Sequence, residues 1–201
     1  MREALTTIVT IGFLSITPAF AASATFDSDA EGFSLTGGLL TAPSTGGNPG
    51  GYLDLDDTAI GFMQLVFPQI FVDAVEDGAK LTFDALSFEG GIDVLSEFGT
   101  VTLSNGSDSI SADAFSLTPP SATTWTEGGL TFDAATFGVT QDEFLDVLNG
   151  LVSLTMVVER NNVIDERVGI DNVNIDPIPV PGAALLFLPV AGGMLRLRRK
   201  R

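Results

Sequence analysis

Cysteine and histidine are both absent from the 201 residues, which removes thiol chemistry, disulfides, the usual zinc sites and every histidine-based acid–base mechanism. Carboxylates, amides and a few large rings remain. The 26 acids could supply oxygen to a hard cation such as calcium, which takes six to eight oxygens gathered by tight glycine turns. FDSDAEGF, with Asp27 and Asp29, and GGYLDLDD, with Asp54 and Asp56, have that composition. Neither is an EF-hand, because the twelve-residue ligand pattern and its closing Glu are missing. A pair of acids could also hydrolyse a glycosidic bond. With so many acids some pair always lies at a workable distance, so composition carries no signal for a glycosidase. G-x-S-x-G, phosphate-loop and dinucleotide motifs are absent, and the chain reads as no enzyme. Sugar recognition would need rings to stack on pyranoses and amides to bond hydroxyls. Tyr52 and Trp125 are the only Tyr and Trp, and Asn161 and Asn162 share a loop. Tyr52, Asn161 and Asn162 are expected to be exposed ligand-binding candidates, and Trp125 is expected in the core.

Charge narrows the partners further. Of 26 acids only Glu3 lies outside residues 22–178, and of nine bases only Lys80, Arg160 and Arg167 lie inside, so 25 acids against three bases give this segment a net charge of −22. Such a surface repels phosphate backbones, which excludes nucleic-acid binding, and it favours divalent or cationic partners.

Short apolar runs broken by Gly, Ser, Asp and Pro must position these residues. AKLTFDALSFEG alternates through Leu81, Phe83 and Ala85, and then Leu86 and Phe88 break the phase, which predicts a bulge or change of face near Ala85. VTLSNG and DSISADAF read as strands around an Asn105-Gly106 turn, and LVSLTMVVER alternates through Val152, Leu154, Met156 and Val158. One helix is predicted in TQDEFLDVLNG. Thr140 and Glu143 form a capping box, Phe144, Val147, Leu148 and Leu151 an apolar stripe, and Asn149-Gly150 a left-handed stop. Its Asp142, Glu143 and Asp146 read as a solvated face. Turn signals every 8 to 12 residues predict an all-β fold, a single jelly-roll β-sandwich with one short helix over residues 22–176.

The ends differ from this domain. Residues 1–21 have an apolar core from Ile8 to Ile16 followed by Ala19-Phe20-Ala21, the small-x-small pattern of a secretory signal peptide, and Ala22-Ser23-Ala24 is a second cleavage candidate. Residues 177–201 run from prolines through an apolar stretch into Arg196, Arg198, Arg199, Lys200 and Arg201. The 14 residues from Gly182 to Leu195 would span roughly 21 Å as a helix, short of a hydrocarbon core of about 30 Å. Counting back to Ile178 gives 18 residues, just enough for a transmembrane helix. The basic stop would stay in the cytoplasm and leave the acidic domain outside.

This tail resembles the PEP-CTERM class of sorting signals, in its VPLPA variant, with Val180, Pro181 and Gly182 as the motif. Val and Gly stand where that variant prefers Leu and Ala. The resemblance implies export through the inner membrane with signal peptidase, transient anchoring, cleavage by an exosortase, and release to the cell surface or extracellular matrix. The middle, through FDSDAEGFSLTGG, GGNPGGYLDLDD, ATTWTEGGLTF and VGIDNVNI, resembles the laminin B (domain IV) type of galactose-binding-like jelly roll. Phe33 stands where Trp is frequent in the first motif, and VVER replaces an arginine-rich strand. This resemblance implies a structural calcium between the loop after the first strand and the last strand, with Asp27, Asp29 and Asp171 as ligands and Asp54 or Asp56 contributing. It also implies a non-catalytic module for extracellular polysaccharide or another envelope protein. The alternatives are a purely structural acidic matrix protein and, further off, a carboxylate glycosidase.

Overall fold

The computed structural model describes residues 21–58, 62–88, 97–115, 123–159 and 166–178. Thirteen elements follow in order: β1 (Ala22–Ala24), β2 (Ser34–Thr36), β3 (Gly38–Thr41), β4 (Leu53–Asp57), β5 (Gln64–Val66), α1 (Gln69–Val72), β6 (Lys80–Ser87), β7 (Thr100–Ser104), β8 (Ser109–Asp113), β9 (Thr126–Thr131), α2 (Gln141–Asn149), β10 (Ser153–Val157) and β11 (Arg167–Asp176). The strands form two antiparallel sheets, which makes the fold a β-sandwich jelly roll. One sheet runs β3-β4-β11-β6-β9, with β1 also paired to β11; the other runs β2-β5-β10-β7-β8.

The core lies between the sheets and follows period-two alternation. Leu81, Phe83 and Ala85 of β6 point into it, with Leu53 and Leu55 of β4, Val168 and Ile170 of β11, and Leu154 and Met156 of β10. Phenylalanine fills the corners. Phe33 sits 5.3, 5.1 and 5.0 Å from the rings of Phe26, Phe67 and Phe71, so the residue in the place of Trp is a core packer. Phe115 meets Phe83 and Phe98, and Phe137 meets Phe132 and Phe144. Edge, tilted and stacked contacts of this kind stabilise by about 0.5–1.5 kcal/mol each beyond area burial.

Several sequence expectations stand. The Asn105-Gly106 turn joins β7 to β8, with Asn105 Oδ1 accepting from the backbone N–H of Ser107 and Asp108. α2 has both halves of its capping box, and Phe144 and Val147 are buried. Others are corrected. Gly150 closes α2 at φ −118°, outside the left-handed region. Val152 precedes β10 and is 57% exposed, so the inward alternation starts at Leu154. β6 has no bulge near Ala85: Ser87 continues the buried row, and Leu86 and Phe88 lie on the opposite face. The register shift falls instead in β11, between Asp171 and Asn174.

α1 packs against β10 and β1, and α2 against β7 and β8. Among the described residues, neither helix covers the outer face of the β3-β4-β11-β6-β9 sheet, and no helix is long and apolar enough to cross a membrane. The signal segment through Phe20, the sorting motif at Val180, Pro181 and Gly182, the basic stop at Arg196 to Arg201, and Asn161 and Asn162 lie outside the described residues.

Candidate functional site

Antiparallel register builds this outer face row by row. Asp54 of β4 lies opposite Gly169 of β11, which lies opposite Leu86 of β6. One row along, Asp56 faces Arg167, and the N–H of Phe88 donates to the Arg167 carbonyl. In the other direction Asp171 faces Asp84, which faces Glu127 of β9. Trp125 enters just before β9, and Tyr52 just before β4.

Three aromatic side chains converge over the middle of this face. The Tyr52 ring lies 5.6 Å from Phe88 and 5.8 Å from Trp125, the latter edge-on. Gly169 lies beneath them: a Cβ there would sit 2.8 Å from Trp125 Cη2, 3.2 Å from Phe88 Cε2 and 3.3 Å from Tyr52 Cδ2. The absent side chain lets rings from strands on either side of β11 meet. Tyr52 is 8% exposed and forms the inner wall, whereas Phe88 and Trp125 are half-buried and reach the surface. Both ring expectations are therefore corrected. Tyr52 is enclosed, and Trp125 lies on the outer face, away from the inter-sheet core, because its parity on β9 is that of Glu127.

Polar groups border the rings. Arg167 grips Asp54 with a two-point contact, Nε to Oδ1 at 3.1 Å and Nη2 to Oδ2, and its guanidinium carbon lies 5.2 Å from the centre of the Phe88 ring. Such a fork is more directional than a single ion pair, and a half-exposed cation over a ring adds about 0.5–1 kcal/mol. Burial, then the charge of Asp54, pushes the Tyr52 phenol above its ordinary value, with Arg167 opposing, so the hydroxyl stays neutral at physiological pH. Asp54, a calcium candidate in sequence, is thus the partner of Arg167.

The GGNPGG loop covers one end of the face. Its Asn48 N–H donates to Asp171 Oδ2, while Asn172 N–H donates to Oδ1 at 2.7 Å. Asp84 Oδ2 accepts from the side chains of Asn172 at 2.8 Å and Asn48 at 3.2 Å. Gly51 N–H donates to Asp27 Oδ1 at 3.1 Å, and a Cβ on Gly51 would lie 2.0 Å from the Phe26 carbonyl, so only glycine fits. Asp171 is fully buried, and burial, with Asp84 and Asp27 adding, pushes its carboxyl upward despite the two amide bonds. Asp27 and Asp171 therefore meet one loop, while Asp29 is exposed and accepts from Glu31 N–H in a local turn. Among the described residues no three acids are grouped to hold a metal ion. The acids supply the charge a cation would neutralise, and oxygens of Asp27, Asp84 and Asp171 accept from amides of the loop and of β11.

Sequence reasoning singled out neither Phe88, Arg167 nor Gly169 for this face. Two signals pointed there: the apolar residues breaking alternation in β6, and an Arg in a domain with only three bases.

Comparison of the sequence with models of known families and with curated protein sequences gives no match. Among solved structures, the fold is similar to the tandem of two CBM22 modules from Paenibacillus barcinonensis Xyn10C, at 14% identity over 85% of this chain and 50% of that one, TM-score 0.56. It is similar to the L4b domain of human laminin alpha-2 at 10% identity, over 81% of this chain and 99% of that domain, TM-score 0.55. The C-terminal family 22 carbohydrate-binding module of Clostridium thermocellum Xyn10B aligns at 13% identity over 79% of this chain and 94% of that module, TM-score 0.50. The chain thus shares the jelly-roll fold of carbohydrate-binding modules and of a laminin domain.

Proposed function

We propose that this jelly roll is a non-catalytic carbohydrate-binding module and that its ligand lies on the outer face of the larger sheet, across Phe88 and Trp125. The observation that carries the reading is the convergence of three rings over Gly169, on a face the helices leave uncovered. Half-exposed rings offer flat apolar surface to a pyranose, and the adjoining half-exposed Arg167 offers N–H donors for its hydroxyls. Two of the similar folds belong to carbohydrate-binding modules, in line with this reading. Laminin L4b shares the fold as well, so the second reading, a structural acidic matrix protein, is the outcome if no glycan binds.

Tryptophan emission tests the proposal directly, since Trp125 is the only tryptophan. Soluble neutral polysaccharides should shift its emission on binding. Trp125→Ala should leave the chain folded and weaken binding roughly tenfold or more, about 1.4 kcal/mol. Binding that survives Trp125→Ala undiminished would remove this face from the proposal.

The proposal extends to where the module works. Its motivation is the apolar, small-residue start and the proline–apolar–basic end of the chain. Signal peptidase removes the start, an exosortase removes the end, and the domain passes from the inner membrane to the cell surface or matrix. Cleavage after Ala21 is the reading adopted, because cleavage after Ala24 would remove β1, whose Ala22 and Ala24 are buried against β11. Intact-mass measurement of the exported protein should find both ends gone; a species retaining Arg196 to Arg201 would replace sorting with a permanent anchor. Calcium at the Asp27–Asp171 end belongs to the proposal as a structural ion.

A further inference from the structure

Among the described residues the cations are Lys80 and Arg167. Lys80 opens β6, six residues before Leu86, which places it about 20 Å along the strand from the aromatic cluster. Arg167 is therefore the described cation at the rings, and Asp54 already holds its Nε–Nη2 edge with both carboxylate oxygens. A guanidinium held this way has one of its two carboxylate-matching edges occupied and its charge offset by the bound carboxylate. Around it stand further acids of the same face: Asp56 opposite Arg167 on β4, Asp84 opposite Asp171, and exposed Glu127 beyond Asp84. A sugar chain lying across Phe88 and Trp125 meets apolar ring surface and a border of negative charge.

We infer that this face selects uncharged glycans over acidic ones, and that Asp54 sets the selectivity by occupying the Arg167 fork. The inference rests on the carbohydrate-binding reading above and adds the ligand class to it. A uronate carboxylate approaching the rings meets the carboxylates of Asp54 and Asp56, and the guanidinium that would receive it is already paired. A neutral pyranose carries no charge to repel and keeps its stacking and hydroxyl contacts. Asp54 acts here through Arg167 and is a positioning residue.

The experiment is isothermal titration of the exported protein, at low and at high salt, with neutral xylo-, manno- and gluco-hexasaccharides and with hexagalacturonate. The expected result is binding of at least one neutral hexasaccharide, with hexagalacturonate at least about tenfold weaker at low salt and the gap narrowing as salt screens the border. Asp54→Asn is nearly isosteric and frees the fork, so it should raise hexagalacturonate affinity about tenfold relative to the neutral ligand. A purely structural role for Asp54 would weaken both ligands together and leave their ratio unchanged. The double variant Asp54→Asn/Arg167→Met should lose that gain while keeping an apolar stem over Phe88. Hexagalacturonate binding as tightly as the neutral ligands, or an unchanged ratio in Asp54→Asn, overturns the inference and leaves the glycan-binding reading standing. Binding of no glycan by the wild-type protein overturns that reading and the inference with it.

Discussion

A side chain at position 169 would press on three rings at once, of which Phe88 and Trp125 are half-buried and reach the surface while Tyr52 is enclosed. Gly169→Val should therefore push Trp125 and Phe88 outward without disturbing the core. Valine suits a strand, and the contacted atoms are ring edges with room to move, so stability should change by about 1 kcal/mol or less. Glycan affinity should fall with the displaced rings. Melting and titration of the same variant check this; a variant that binds as wild type would show that the ring geometry over Gly169 is irrelevant to the ligand. The identity of these rings was legible in sequence, but their sides were not. Trp125 was expected inside and Tyr52 outside, and the structure reverses both. Alternation reports which residues share a face; it does not say which face is wet when both carry apolar residues. Leu86 and Phe88 raised that ambiguity, and reading them as a bulge or change of face near Ala85 obscured the outer cluster. Asn161 and Asn162 lie beyond the described residues and remain proposals only.

Local elements were read well wherever the signal was itself local. The capping box of α2 needs only Thr140 and Glu143 three residues apart, and Glu143 Oε2 accepts from Thr140 N–H and Oγ1–H while Thr140 Oγ1 accepts from Glu143 N–H. Those bonds hold the exposed Glu143 carboxyl below its ordinary value. The β7–β8 turn is likewise local, with Gly106 at φ 90° after an Asn that bonds its own loop. α1 was not anticipated, since four residues after Pro68 give too little periodicity to register. The pairing of β11 with β6 on one side and with both β4 and β1 on the other joins segments far apart in the chain, which no window of sequence contains.

For the whole molecule, the acid excess and the buried acids act in the same direction. Asp171 and Glu159 are buried, and burial is the leading cause that lifts both carboxyls above their ordinary values of 3.8 and 4.5. An acid raised on folding contributes stability that is complete below its ordinary value and lost as pH climbs through the raised folded value. Glu143 runs oppositely, its contribution present above its ordinary 4.5 and lost as pH falls through the lowered value. With 25 acids against three bases in the domain, self-repulsion adds to the loss at higher pH. The melting temperature in low salt should therefore be higher at pH 5 than at pH 8. Glu159→Gln, which can still accept from the Met63 N–H, should flatten the trend. On the calcium proposal an ion beside Asp171 would compete with its proton, so millimolar calcium should raise the melting temperature more at pH 8 than at pH 5. A melting temperature that climbs from pH 5 to pH 8 would refute the burial argument, and one indifferent to calcium would remove the ion. What the amino-acid order determined alone was the all-β class, the acidity, the absence of thiol and imidazole chemistry, and the local turns and caps, because each depends on composition or near neighbours. What only the tertiary structure decided was the site: the face on which Trp125 lies, the pairing of Asp54 with Arg167 across 113 residues, and the space over Gly169. Those follow from strand order and register, which are set when distant strands compete to bury their apolar faces.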